Sequence, residues 1–215
     1  MYTNQKTKWR TVAAIVAYLA VTAMFSGCKN KNAGGNTVVN VEETPVKGAF
    51  KVKTATIAFK KADKGEETTH TIMWDDYGNY WRLEDSDGAT IVDEKSGKGY
   101  SLNLLKKTYT KLDESIYSFA KMGRDLFKFS TGTGMPAYQQ LPNRTIAGKD
   151  CTVYSTTSSG ITTIYGGWNG ILFLKEESGV LEGTGITENN SLTATSYSET
   201  VPAGSFAVPS DYKLE

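Results

Sequence analysis

The chain has 215 residues, with 24 lysines and arginines against 23 aspartates and glutamates, one histidine and two cysteines. So even a balance leaves no basic field for nucleic acid, and one histidine with two cysteines is too few for the usual zinc centres. Glycine, threonine, serine and tyrosine are plentiful while proline is scarce, which favours a β-rich domain.

The first element in chain order is a leader. Lys6, Lys8 and Arg10 form a positive segment, and the apolar run TVAAIVAYLAVTAMF follows. That run is about 15 residues, short of the roughly 20 that span a bilayer as a helix. It ends in Phe25-Ser26-Gly27-Cys28, which resembles the lipobox of bacterial lipoproteins, with Phe25 where Leu is usual. The resemblance implies cleavage before Cys28 and acyl chains, palmitate among them, on that cysteine. Stable anchoring needs two or more chains, each buried methylene contributing about 0.8 kcal/mol. Residues 1–27 are therefore read as a lipoprotein signal peptide, 28–47 as the lipidated cysteine and a tether, and 48–215 as one domain. Lys29, Asn30, Lys31 and Asn32 lack the acidic run that marks surface export in Bacteroides-type lipoproteins, and no Asp follows Cys28. The expected location is the outer membrane, facing the periplasm. With Cys28 committed to lipid, Cys151 has no intramolecular partner and is read as a buried thiol in the strand-like run KDCTVYST.

Short strand-like runs then alternate with turn residues. AFKVKTATIAF ends in the charged turn KKADKGEE; HTIMWDD turns at Tyr77-Gly78-Asn79; YWRLED runs into Ser86-Asp87-Gly88 and ATIVDE into Ser96-Gly97; GYSLNLL leads to TYTKL. Runs joined so closely pair antiparallel. One helix interrupts them. Asp113 is its N-cap, Leu112 staples against Tyr117, and Ile116, Phe119, Ala120, Gly123 and Phe127 recur as an apolar stripe. Lys121, Arg124 and Lys128 complement the dipole at its end, and Gly132 and Pro136 lie beyond it. Gly123, costly by about 1 kcal/mol in a helix interior, is expected to allow close contact with the sheet. TIAGKDCTVYSTT, GITTIYGGW, GILFLKEES, SLTATSYSETV and the tail FAVPSDYKL complete about ten strands.

GKGYSLNLLKKTYTKL before the helix, Ile146-Ala147-Gly148-Lys149-Asp150-Cys151-Thr152-Val153-Tyr154 after it, Trp168-Asn169-Gly170-Ile171-Leu172-Phe173-Leu174-Lys175, and the ending ATSYSETVPAGSFAVPSDYKL carry a further likeness. Over residues 48–213 this order resembles a Bacteroides-type lipoprotein family related to the LolA and LolB half-barrel lipoprotein carriers. The resemblance implies a mainly β fold: a curved antiparallel sheet, or half-barrel, with one principal helix on its concave side. It also implies an apolar ligand such as lipid acyl chains in that concavity. Apolar residues alternate along the strands, as at Ile72 and Trp74, Trp81 and Leu83, or Tyr100, Leu102 and Leu104. Such alternation supplies one apolar face without deciding between a cavity and a filled core.

The candidate ligand-binding residues are Trp74, Leu102, Phe119, Phe127 and Trp168. The other reading is an envelope interaction or glycan-binding protein with a filled core, for which Trp74, Trp81 and Trp168 offer stacking surfaces. No catalytic residue, metal site or cofactor is expected. His70 lies in a strand run with no nucleophile elbow in the chain, and Asp85, Asp87, Gly88 and Glu94 fit a hairpin turn better than a calcium loop that has Leu83 at its first position.

Overall fold

A computed structural model describes residues 48–130 and 138–215. The signal segment, Cys28, the tether, and Gly132, Gly134 and Pro136 lie outside the described residues. The elements are β1 (Ala55–Asp63), β2 (Glu66–Asp75), β3 (Tyr80–Glu84), β4 (Gly88–Asp93), β5 (Lys98–Asn103) and β6 (Thr108–Lys111), then helix α1 (Glu114–Asp125). After the helix come β7 (Gln139–Ile146), β8 (Lys149–Ser158), β9 (Ile161–Trp168), β10 (Ile171–Val180), β11 (Thr187–Ser198) and β12 (Lys213–Leu214). They form one sheet in the order β12-β6-β5-β4-β3-β2-β1-β11-β10-β9-β8-β7. Its neighbours are antiparallel apart from the short parallel pair β12–β6. Two meanders, β1–β6 and β7–β11, join where β11 pairs with β1. The expected architecture is therefore present: a mainly β, curved, unclosed sheet with one helix against its concave side.

Twelve strands stand among the described residues where the sequence suggested about ten. TIAGKDCTVYSTT is two strands, folded at Ala147 and Gly148, which have φ of 48° and 77°. Positive φ at both central residues, with Ile146 opposite Lys149, is the two-residue hairpin whose twist matches its strands. β7 escaped the sequence reading because it contains Pro142. Proline is tolerated at a sheet edge or a bulge, and β7 is an edge strand whose register shifts between Leu141 and Arg144. β12 is two residues long, too short to leave a periodic signal.

Two apolar cores lie on opposite faces. Pairing aligns Ala55 with Trp74, Trp74 with Trp81 and Trp81 with Val92, and in the next row Ile57 with Ile72 and Ile72 with Leu83. These side chains are buried together with Phe50, Phe59 and, from α1 and the turn after it, Ala120 and Phe127. One residue out of phase, Ala89, Ile91 and Leu102 occupy the other face. There the C-terminal tail covers them with Phe206, Val208 and Tyr212.

The helix begins as expected. Asp113 Oδ1 accepts the Ile116 amide at 2.9 Å, and Leu112 and Tyr117 converge over Gly99. Its buried side differs from the expected stripe. Ala120, Gly123 and Arg124 are the inward residues of the helix, while Phe119 is 47% exposed and Met122 57%. Ala120, Gly123 and Phe127 of the expected stripe are buried, but Phe119 faces outward and Arg124 takes an inward place beside them. The close contact expected at Gly123 is not made either: a Cβ there would meet nothing within 4 Å. Gly123→Ala is accordingly expected to raise stability by about 0.5–1 kcal/mol, by helix propensity alone. A urea unfolding midpoint that stays put or falls would count against this placement.

Candidate functional site

The concave face divides into a packed half and a polar end. In the packed half Phe50 stacks on Trp74 with ring centroids 4.1 Å apart, and Phe59 meets Phe127 at 5.2 Å. Trp74 is fully buried and donates its indole N–H to the Val52 carbonyl at 2.9 Å. Of the five candidate ligand residues, the fold brings Trp74 and Phe127 into this one cluster, with Trp168 half-buried at its border. Leu102 does not join them, because its register opposite Ala89 puts it on the other face beneath the tail. Phe119 does not join them either, since it looks outward from α1.

The polar end follows from the pairing of β1, β11, β10, β9 and β8. Lys61 lies opposite Leu192, Leu192 opposite Lys175, Lys175 opposite Tyr165, and Tyr165 opposite Tyr154. The neighbouring row runs Asp63, Asn190, Glu177 and Thr163. Directly paired residues share a face, so these groups lie on the Phe59 side of the sheet. Lys175 Nζ sits 2.7 Å from Glu177 Oε1, with side chains only 3% and 6% exposed. Opposite charges this close offset part of each other's desolvation cost. Tyr138 approaches Tyr154 and Tyr165 edge-on at 6.3 and 6.2 Å. Burial, with Tyr138 and Glu177 close by, pushes the Tyr165 phenol up to about 12.

His70 lies opposite Phe59 on the same face, with Nε2 3.0 Å from the Thr68 hydroxyl. Burial holds its pKa below the usual imidazole value; Asp85 opposes that shift and Lys61 adds to it. The folded chain thus binds a proton less readily than the unfolded chain. Stability should therefore fall as pH drops through about 6.5, the unfolded imidazole range. Unfolding free energies at pH 7.5 and 5.5 check this: His70→Gln should flatten the difference, and an unchanged slope would remove His70 as its source.

Cys151 is buried, and desolvation beside Asp150 pushes its thiol up to about 11, the opposite of an activated nucleophile. Asp85 Oδ1 accepts the Asp87 and Gly88 amides at 2.9 and 2.8 Å, so the acidic stretch closes a turn. Among the described residues no group of three or more His, Cys, Asp or Glu side chains is placed to hold a metal.

With that geometry in hand, comparison with solved structures finds a shared outline. The chain is similar to MucB. MucB in complex with MucA(peri) aligns at 10% identity and a TM-score of 0.48, covering 74% of this chain and 55% of that one. The Pseudomonas aeruginosa MucA/MucB complex aligns at 12% and 0.46, covering 74% and 56%. An uncharacterized conserved protein from Thermus thermophilus aligns at 9% and 0.46, covering 77% and 91%. The chain thus spans a little over half the length of MucB. No family model and no curated protein matches the chain.

Sequence reasoning missed the Lys175–Glu177 pair and Arg124. GILFLKEES shows charges following an apolar run, which reads as a strand leaving the core. The signal lay in the spacing, since two charges of opposite sign two residues apart share one face of a strand. On that face Lys175 stands between Leu192 of β11 and Tyr165 of β9, neighbours that only the sheet order supplies.

Proposed function

We propose that the chain is a lipid-anchored, non-enzymatic protein of the bacterial cell envelope, held through acyl chains on Cys28, whose half-barrel is a rigid binding platform. The anchor reading rests on the leader and Phe25-Ser26-Gly27-Cys28. No helix among the described residues is long and apolar enough to cross a membrane. The observation that favours a platform over a carrier is the packing under α1. Trp74, Phe59, Ile57, Ile72 and Trp81 are fully buried against one another and Phe127. An acyl chain could enter there only by displacing these buried side chains, since protein interiors are close-packed.

A second reading keeps the apolar ligand but moves it. Tyr138, Tyr154 and Tyr165 form an aromatic wall beside the buried Lys175–Glu177 pair. That combination suits an amphiphile, with its apolar body on the rings and its polar group toward the charges. Buried acyl surface would contribute about 25 cal/mol per Å².

Two measurements test these readings. Metabolic labelling of the full chain with an alkyne palmitate should give a labelled, membrane-fractionating protein, and Cys28→Ala should lose both label and membrane association. Label retained on Cys28→Ala would sink the anchor. Native mass spectrometry of the purified chain should show no stoichiometric lipid under the platform reading. A co-purifying lipid lost in Tyr165→Ala but kept in Trp74→Phe would favour the amphiphile at the tyrosine wall.

A further inference from the structure

A second feature stands at the border of the packed half, where Trp168 and Tyr197 pack against the core cluster that includes Phe173. Trp168, Phe173 and Tyr197 form a three-sided aromatic box, with centroid separations of 6.3 Å for Trp168–Phe173, 5.5 Å for Trp168–Tyr197 and 5.6 Å for Phe173–Tyr197. Phe173 is fully buried, while Trp168 and Tyr197 are half-buried. The Lys149 ammonium sits over two of these rings, 4.3 Å from the Trp168 centroid and 4.5 Å from that of Tyr197. Wall planes at 74° put two ring faces on one cation, the geometry in which ring quadrupoles attract a positive charge most effectively.

The backbone is built around this box. Lys149 begins β8 directly after the Ala147-Gly148 turn, and Trp168 ends β9 directly before Asn169-Gly170, with φ of 50° and 76°. Both turns are two-residue hairpins, so both side chains hang from stiff strand ends. The other two walls sit at β-bulges. In β10 the register against β9 shifts between Leu172 and Leu174, leaving Phe173 as the extra residue. In β11 the register against β1 shifts between Ala194 and Ser196, which moves Tyr197 opposite Ile57. A bulge breaks the alternation of a strand and re-aims the side chains that follow it, and bulges gather beside functional sites. Here two of them, on adjacent strands, deliver two rings to one point. Glu199 accepts the Tyr197 hydroxyl at 3.1 Å and places a carboxylate at the rim.

We propose that Trp168, Phe173 and Tyr197 form a binding box for a small organic cation free in solution, of quaternary or alkylammonium type, that Lys149 occupies and gates in the resting protein. The ligand enters as the Lys149 ammonium leaves on its four-carbon stem, so that rehydration of the ammonium offsets the desolvation of the incoming cation. This inference stands on the box geometry alone and does not depend on the anchor or on the contents of the concave face.

Choline and 3,3-dimethyl-1-butanol, its neutral isostere, are the probes, titrated calorimetrically into the full chain at constant ionic strength. Lys149→Ala should bind choline about tenfold more tightly than the unaltered chain, because the internal competitor is gone. It should prefer choline over the neutral isostere by about tenfold, in keeping with a partly desolvated cation–π contact. Adding Trp168→Leu to Lys149→Ala should abolish binding; if that variant unfolds, Tyr197→Leu in the same background serves instead. Failure of Lys149→Ala to bind choline, or equal binding of choline and its isostere, would overturn the proposal.

Discussion

Lys175→Met is expected to destabilise the protein by about 3–5 kcal/mol, because it leaves the Glu177 carboxylate buried without its counter-charge. The cost arises from desolvation rather than from a lost attraction. Replacing both residues, Lys175→Met with Glu177→Leu, should therefore recover most of the loss and can exceed the original stability, as apolar replacement of buried pairs often does. Urea unfolding of the two single variants and the double variant gives the coupling energy directly. A double variant as unstable as the singles would mean that the two charges do not compensate each other. The same double variant bears on the amphiphile reading, since it keeps the fold while deleting the two charges paired opposite Tyr165 and Thr163.

Arg124→Leu should cost about 3 kcal/mol, at the lower end of the range for breaking a buried pair. The Arg124 side chain is 6% exposed and pairs with Glu94 as well as with Asp125 at 2.6 Å. Its guanidinium also lies 6.0 Å from the Trp81 ring. Glu94 in turn accepts the Trp81 indole N–H at 3.3 Å, so the arginine ties α1 to the packed half of the concave face. The loss stays at the lower end because Lys121 remains 3.2 Å from Glu94. Arg124→Lys should rescue little, since one ammonium cannot reproduce a fork that serves Glu94 and Asp125 together. Near-UV circular dichroism from Trp81 should weaken in Arg124→Leu before global unfolding. An unchanged spectrum with full stability would show that α1 is held by its apolar contacts alone.

Both expectations concern charges in places where the sequence shows only surface-like letters. Lys175 and Glu177 end a strand run, and Arg124 sits in the last turn of a helix, where a cation is favourable for dipole reasons alone. Their apolar neighbours were easier to read. Ile72 and Trp74, and Trp81 and Leu83, alternate along their strands, and alternation is a local property that survives whatever the strands pack against. Leu102 obeys the same alternation yet lies on the opposite face from Trp74. Period two states that a strand has two faces; it does not state which face of one strand continues which face of the next.

The sequence by itself determined the order and type of most elements, the Asp113 cap, the turns at Tyr77-Gly78-Asn79 and Ser86-Asp87-Gly88, and a mainly β fold with a single helix. The proposed anchor at Cys28 rests on the sequence alone. These follow from short-range chemistry: side-chain period, capping oxygens, turn-forming residues and a leader of fixed pattern. Only the tertiary structure decided that Trp74 and Phe127 are packed core, that Leu102 lies under the C-terminal tail, that Phe119 faces outward and that Lys175 and Glu177 are buried. It alone brought Lys149 to Trp168 and Tyr197. Those outcomes depend on register across strands far apart in the chain and on two bulges that each reset a strand's alternation, which no local pattern encodes.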